Sequence, residues 1–181
     1  MALPFAFPPT EPNWWRSLGY EARMLWLCAA RDRAFAQSDP FVASKIPGRR
    51  VVLDGTLVDD LLAFYCTIGE AVNGPGGYFG LTMEAFNDCL YGGFGLEFPY
   101  TIVWRNAARS ASVLDSAALL SYLDTECSYE LDPKYFAEGL AWRETARAAA
   151  RSGNRTMFDE IAETIRDVSV KNGYNATLVL E

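Results

Sequence analysis

Apolar residues change their spacing along this chain in a way that separates strands from helices. Arg50 to Leu53 holds a short β-branched run, the pattern of a strand. Leu57, Leu61, Phe64, Ile68 and Val72 then recur every third or fourth residue and form one apolar face of a helix. Thr56-Leu57-Val58-Asp59 has the form of a capping box opening that helix, and Asn73-Gly74 is a stop for it. A shorter helix is predicted from Thr82, with Met83, Phe86 and Leu90 on one face until Gly92-Gly93 interrupts it, and Tyr100 to Trp104 reads as a buried strand. Met157 or Phe158, Ile161, Ile165 and Val168 line a last helix that Asn172-Gly173 ends, before a final strand from Ala176 to Leu180.

Strands separated by helical crossovers predict an α/β fold, here a small three-stranded parallel sheet covered by helices, because parallel neighbours cannot be joined by a tight turn. Two segments add to it. Residues 1–48 read as an N-terminal helical extension, in which Ser17 caps a helix running to about Phe35 with Leu18, Ala22, Leu25 and Cys28 or Ala29 on its apolar face. Trp14 and Trp15 precede this helix and are expected to anchor it by burial. The extension ends at the proline-containing stretch Ser38-Asp39-Pro40 and Ile46-Pro47-Gly48. Residues 49–181 form the second unit, with a helical insertion at about 110–155 that carries one pattern over Val113 to Leu123 and another over Pro133 to Arg151. The second of these has Tyr135, Phe136, Leu140 and Ala146 or Ala150 on one stripe and Arg143, Arg147 and Arg151 on another. The arginines either pair locally, with acids such as Glu144 or Glu138, or offer a specificity contact to a partner.

Composition narrows the function. Half of the 181 residues are apolar, enough for one core with an elaboration. The balance of 16 basic against 23 acidic residues, a net charge of −7, disfavours a nucleic-acid or anionic-membrane surface; it suits a cationic partner, and equally suits mere solubility. The chain has no histidine, and Cys28, Cys66, Cys89 and Cys127 form no CxxC pair, so neither a metal nor a cofactor is expected. The start MALPFAFPPTEP lacks a basic n-region, and with scattered cysteines among apolar neighbours this leads to the expectation of a reducing, cytoplasmic setting. No nucleophile signature or phosphate-binding loop occurs, so no catalytic residues are assigned and the chain is not expected to be an enzyme.

On the short helix from Thr82, Glu84 and Asp88 stand at i and i+4, opposite Met83, Phe86 and Leu90. Neighbouring like charges oppose a helix by roughly 0.2–0.5 kcal/mol, a cost that a cationic partner would offset. The same pair is also acceptable as a solvated face, since Glu84 lies in the first turn, where the helix dipole favours an anion.

The stretch Tyr78-Phe79-Gly80-Leu81-Thr82-Met83-Glu84-Ala85-Phe86-Asn87-Asp88-Cys89-Leu90, with Gly92, Gly93 and Phe94 after it, resembles the barstar family: an aromatic pair, a glycine, a short linker and an acidic helix followed by glycine and an aromatic. Val52-Leu53-Asp54-Gly55 upstream and Thr101-Ile102-Val103-Trp104-Arg105-Asn106 downstream resemble the flanking strands of the same family. The firm resemblance covers residues 50 to about 109, and a looser one resumes near Phe158. It implies an acidic, non-enzymatic inhibitor that binds one-to-one over the active site of a cognate toxin, a basic ribonuclease. The implied partner-binding residues are Tyr78, Phe79 and Gly80 in the loop, Glu84, Asn87, Asp88 and Tyr91 on the helix, and Phe94 beyond it, with Asp88 standing in for a substrate phosphate. The family's first helical aspartate is Glu84 here, an asparagine position is Thr82, and an often bulky position is Asn87, departures that point to a partner other than barnase. An acidic contact on the last helix stays unassigned between Asp167 and Val168. The alternatives are an immunity protein for a toxin of another chemistry, and a regulatory or chaperone-like module for a cytosolic partner.

Overall fold

Three strands set the frame: β1 (Arg49–Asp54), β2 (Tyr100–Arg105) and β3 (Ala176–Leu180). They come from a computed structural model that describes residues 3–36, 47–125 and 136–181. The sheet is parallel throughout in the order β1-β2-β3, with Val51 opposite Ile102 and Ile102 opposite Leu178. Alternation along the strands turns Val51, Leu53, Tyr100, Ile102, Trp104 and Ala176 into the core, whereas Val52, Val103 and Val179 share one row on the other face. The α/β class and the parallel three-stranded sheet expected from the spacing of apolar residues are therefore present.

The crossover from β1 starts differently from its expectation. Asp54 accepts hydrogen bonds from the Thr56 backbone N–H at 2.9 Å and from the Thr56 hydroxyl at 2.8 Å, closing a 3-10 turn over Gly55–Leu57. With its hydroxyl so engaged and Val58 extended, Thr56 caps no α-helix. Helix α2 (Leu61–Asn73) begins instead behind Asp60, whose carboxylate accepts from Ala63 N–H at 2.7 Å. Every residue from Leu62 to Gly69 is buried, more than the single apolar face anticipated, because a second helix covers the side turned away from the sheet.

That second helix is α1 (Tyr20–Ala36) of the extension. Ser17 belongs to a preceding 3-10 turn, Trp14–Ser17, and its hydroxyl donates to the Trp14 carbonyl, so it does not cap α1. The buried side of α1 is Trp26, Leu27, Ala30 and Ala34, not the stripe through Leu18, Ala22 and Leu25. The alternative stripe wins because fully buried Trp26 brings far more area to the contact than Ala22 or Leu25 would; Trp15, ahead of the helix, is fully buried as well. Trp14 stacks on Trp26 with ring centroids 5.8 Å apart, and Arg23 lies 5.4 Å over Trp15 while pairing with the α2 cap, Asp60, at 3.1 Å. Ser38-Asp39-Pro40 and Ile46, taken as the end of the extension, lie outside the described residues.

After β2, the helix anticipated over Val113 to Leu123 is two helices, α4 (Ala107–Val113) and α5 (Ser116–Thr125). Asp115 separates them: its side chain accepts from Ala118 N–H at 2.9 Å, and its carbonyl accepts from Met157 N–H at 3.1 Å. Helix α6 is Phe136–Arg151; its anticipated start at Pro133 and Tyr135 lies outside the described residues, as does Cys127. Arg143 Nε donates to the Leu123 carbonyl at 3.0 Å, and Arg147 pairs with Asp124 at 2.6 Å and Glu144 at 3.1 Å, so two arginines of the stripe tie α6 to the carbonyl end of α5. Helix α7 (Met157–Asn172) opens with a reciprocal Thr156–Asp159 capping box and ends at Gly173, φ 68°, before β3. Among the described residues no helix is long and apolar enough to cross a membrane.

Because α1 closes α2 against the sheet, Trp26→Ala is expected to cost about 3–5 kcal/mol, the range for deleting a fully buried aromatic. Equilibrium denaturant unfolding measures it. A midpoint equal to that of the wild type would show the extension to be an appendage.

Candidate functional site

One short helix and the loop before it carry the residues singled out above. Helix α3 (Met83–Leu90) starts at Thr82, whose hydroxyl accepts from Ala85 N–H at 3.2 Å. Phe86, Cys89 and Leu90 are buried beneath it, with the Phe86 ring 5.2 Å from Phe64 of α2 and 6.1 Å from Phe79. At the far end the Tyr100 hydroxyl of β2 donates to the Leu90 carbonyl at 2.7 Å. A helix of eight residues is marginal in isolation, so this buried face and the two anchored ends are what hold it.

The loop ahead of α3 is gripped by the last turns of α2. The Glu70 carboxylate accepts from the backbone N–H of Gly76 at 3.0 Å and from that of Asn13 at 2.6 Å, joining the loop to the N-terminal segment. The Asn73 amide donates to the Tyr78 carbonyl at 2.7 Å and to the Phe94 carbonyl at 2.9 Å, so one side chain fixes the chain on both sides of α3. Gly69 and Gly77 meet backbone to backbone: a Cβ on Gly69 would lie 2.3 Å from the Gly77 carbonyl oxygen, and one on Gly77 2.5 Å from that of Gly69. Gly80, at φ 92°, lies against the Phe86 backbone, where a Cβ would come within 2.6 Å.

Within this frame the eight residues divide by exposure. Glu84, Asp88 and Tyr91 are exposed, and Asn87 and Phe94 are half-buried. Tyr78, Phe79 and Gly80 are buried, Phe79 completely, which places them under and beside the surface of α3. The Tyr78 and Phe94 rings lie 6.2 Å apart. Burial, with Cys89 and Asp88 nearby, pushes the Tyr78 phenol up to about 12, and burial beside Asp88 pushes the Cys89 thiol up to about 12. Both groups are therefore neutral through the physiological range.

Glu84, Asn87 and Tyr91 form one wall of an open groove of about 380 Å³. Met83 also lines it, and the rest comes from Tyr122 of α5, Trp142 of α6, and Glu160, Thr164 and Asp167 of α7, among which only Asp167 is a candidate from the sequence. No basic side chain lines it among the described residues. The Tyr122 hydroxyl and Glu84 Oε1 approach to 3.5 Å, and Glu160 is paired with Arg155, which also binds Glu163 at 2.6 Å. Between the two candidate positions on α7, Asp167 faces the groove and Val168 is fully buried. The three- and four-residue steps from Glu160 through Thr164 to Asp167 mark one helix face, a signal present in the sequence; Tyr122 and Trp142 have no such local mark.

Exposed Glu84 and Asp88 lie one turn apart on the same helix, which suits binding of positive charge more than acid–base chemistry across a cleft. Residues 49–136 match the family model described as Barstar (barnase inhibitor). No curated protein and no solved structure matches the chain.

The raised thiol of Cys89 has a measurable consequence. A thiol whose folded pKa lies above its unfolded value stabilises the fold fully below the unfolded value, and that contribution is lost as pH rises through about 12. Near pH 8, in a Cys127→Ser background, Cys66 and Cys89 are expected to resist a maleimide until the protein is unfolded, whereas half-buried Cys28 reacts. Rapid labelling of Cys89 in the folded protein would contradict the packing of α3.

Proposed function

We propose, from the match of residues 49–136 to the Barstar family model, that the chain is an acidic inhibitor, an immunity-type protein that binds one-to-one over the active site of a basic ribonuclease toxin. The observation that carries this reading is the placement of Asp88 and Glu84: two exposed carboxyl groups on a short helix whose buried face and both ends are anchored. A carboxylate held on such a support accepts charge-assisted hydrogen bonds from arginines with little ordering cost, which is the economy an active-site plug needs.

Asp88 is the central anchor in this reading, with Glu84 and Asn87 beside it on α3, Tyr91 at the end of that helix, and Tyr78 and Phe94 as its aromatic surround. Phe79 and Gly80 act from beneath, Phe79 by filling the space under Phe86 and Gly80 by letting the loop approach the helix backbone. The acidic groove next to α3 extends the same preference for a cationic partner. Residues 49–181 act as one domain, with the insertion at about 110–155 shaping the groove and residues 1–48 bracing α2 and the loop.

Titration of a ribonuclease toxin encoded beside this chain, and of barnase, tests the reading. The expected result is a sharp one-to-one equivalence point, no turnover by the chain itself, and inhibition lost on Asp88→Ala. That substitution should weaken binding by more than about 2 kcal/mol at an unchanged thermal midpoint, a magnitude for which the barnase–barstar pair is itself the precedent. Inhibition of a toxin of different chemistry, with every ribonuclease unaffected, would overturn the ribonuclease assignment. In stopped-flow measurements the association rate should fall steeply with ionic strength while dissociation changes little. An association rate independent of salt would reduce the net charge of −7 to a solubility feature.

A further inference from the structure

Two aromatic clusters border α3, and each is completed by a ring from outside residues 49–136. In the first, Phe35 at the end of α1 approaches Tyr78 at 6.2 Å and Phe94 at 6.0 Å between ring centroids. In the second, Tyr174 in the turn after α7 stacks on Phe98 at 4.4 Å with planes 7° apart and meets Tyr91 edge-on at 6.2 Å. Phe35 is 67% exposed and Tyr174 46%. A single exposed ring on a protein surface is ordinary. Here exposed Phe35 is backed by buried Tyr78 and half-buried Phe94, exposed Tyr174 by half-buried Phe98, and both clusters adjoin the helix that carries Glu84 and Asp88.

We propose that the contact face extends beyond the barstar-family module, with Phe35 and Tyr174 as partner-contacting residues that set which enzyme is accepted. The inference rests on the inhibitor reading above, and its occupant is the same basic enzyme. Asp88 acts electrostatically on Tyr78 of the first cluster and stands three residues before Tyr91 of the second, while Arg31 near Tyr78 is paired with Asp32, so both rings border the carboxylate that a cationic surface would meet. Packed aromatic side chains offer large contact area at little further cost in conformational entropy, and the apolar surface they hide from water on docking adds affinity that charge pairs by themselves do not supply. A partner that fits has apolar side chains bordering its cationic active site. Because neither ring belongs to the family-matched stretch, they are the means by which this chain discriminates its own enzyme from a relative that meets only the acidic helix.

The experiment is a titration of the ribonuclease that the wild-type chain inhibits, with full-length Phe35→Ser, Tyr174→Ser, Asp88→Ala and the conservative pair Phe35→Tyr and Tyr174→Phe. Each serine substitution is expected to raise the dissociation constant about tenfold or more, within the span of moderate to strong interface residues, at an unchanged thermal midpoint. The conservative variants should restore affinity. Loss of inhibition in Asp88→Ala, with both serine variants binding like the wild type, would overturn this inference and leave the inhibitor reading intact. If no ribonuclease is inhibited, both fall together. Sedimentation of the free protein covers the other occupant: a dimer that Phe35→Ser or Tyr174→Ser dissolves would assign the rings to a second copy of this chain and overturn the proposal.

Discussion

Burial of α2 on every side from Leu62 to Gly69 is the constraint on which the rest of this structure depends. The sheet covers one side, with Trp104 stacked on Phe64, and α1 covers the other. A helix so enclosed has no freedom to shift, and its last turns become a fixed platform. Glu70 and Asn73 stand on that platform, and between them they hold the backbone of the loop before α3 and the chain that follows it. The contact of Gly69 with Gly77 removes the remaining slack, since the two backbones touch without side chains between them.

The consequence for function is rigidity where charge is displayed. Helix α3 is too short to persist by itself, so the orientation of Glu84 and Asp88 derives from what lies below: Phe86 against Phe64 and Phe79, and the Leu90 carbonyl on the Tyr100 hydroxyl. Fixing carboxylates this way removes ordering cost from any encounter with a cationic surface. It also explains why residues grouped as one surface by their order in the chain separate into two roles. Glu84, Asp88 and Tyr91 are exposed, whereas Phe79 and Gly80 are structural members that hold the display in place.

Segments outside the family-matched stretch are part of the same machinery. The pairing of Arg143 and Arg147 with the carbonyl end of α5 and Asp124 locks α6 beside α5, and this brings Trp142 and Tyr122 to the groove that Glu84 shares with Asp167. Arg143 and Arg147 of the stripe thus work within the molecule, stabilising a helix end by charge and hydrogen bonding together. The N-terminal segment reaches the loop through Asn13 and places Phe35 on Tyr78 and Phe94.

What the sequence determined by itself was local in origin. Short β-branched and apolar runs marked all three strands, three-to-four spacing marked the short acidic helix, and Thr82, Asn73-Gly74 and Asn172-Gly173 marked helix ends, because capping and side-chain direction act within a few residues. The resemblance around Tyr78 to Phe94 likewise pointed, from contiguous residues, to the family whose model matches residues 49–136. Only the tertiary structure decided what became of the local signals. The Thr56 capping signal gave way to Asp60, because Asp54 engages Thr56 and Arg23 of a distant helix supports Asp60. The stripe of α1 through Leu18, Ala22 and Leu25 gave way to the one containing Trp26, which packs against Phe5, Phe7 and Trp14 of the segment before the helix. Asp167 and Val168 were adjacent candidates separated by one helical step, and packing against the core placed Val168 inside and Asp167 on the groove. Such choices depend on residues dozens of positions away, and no spacing along one chain contains them.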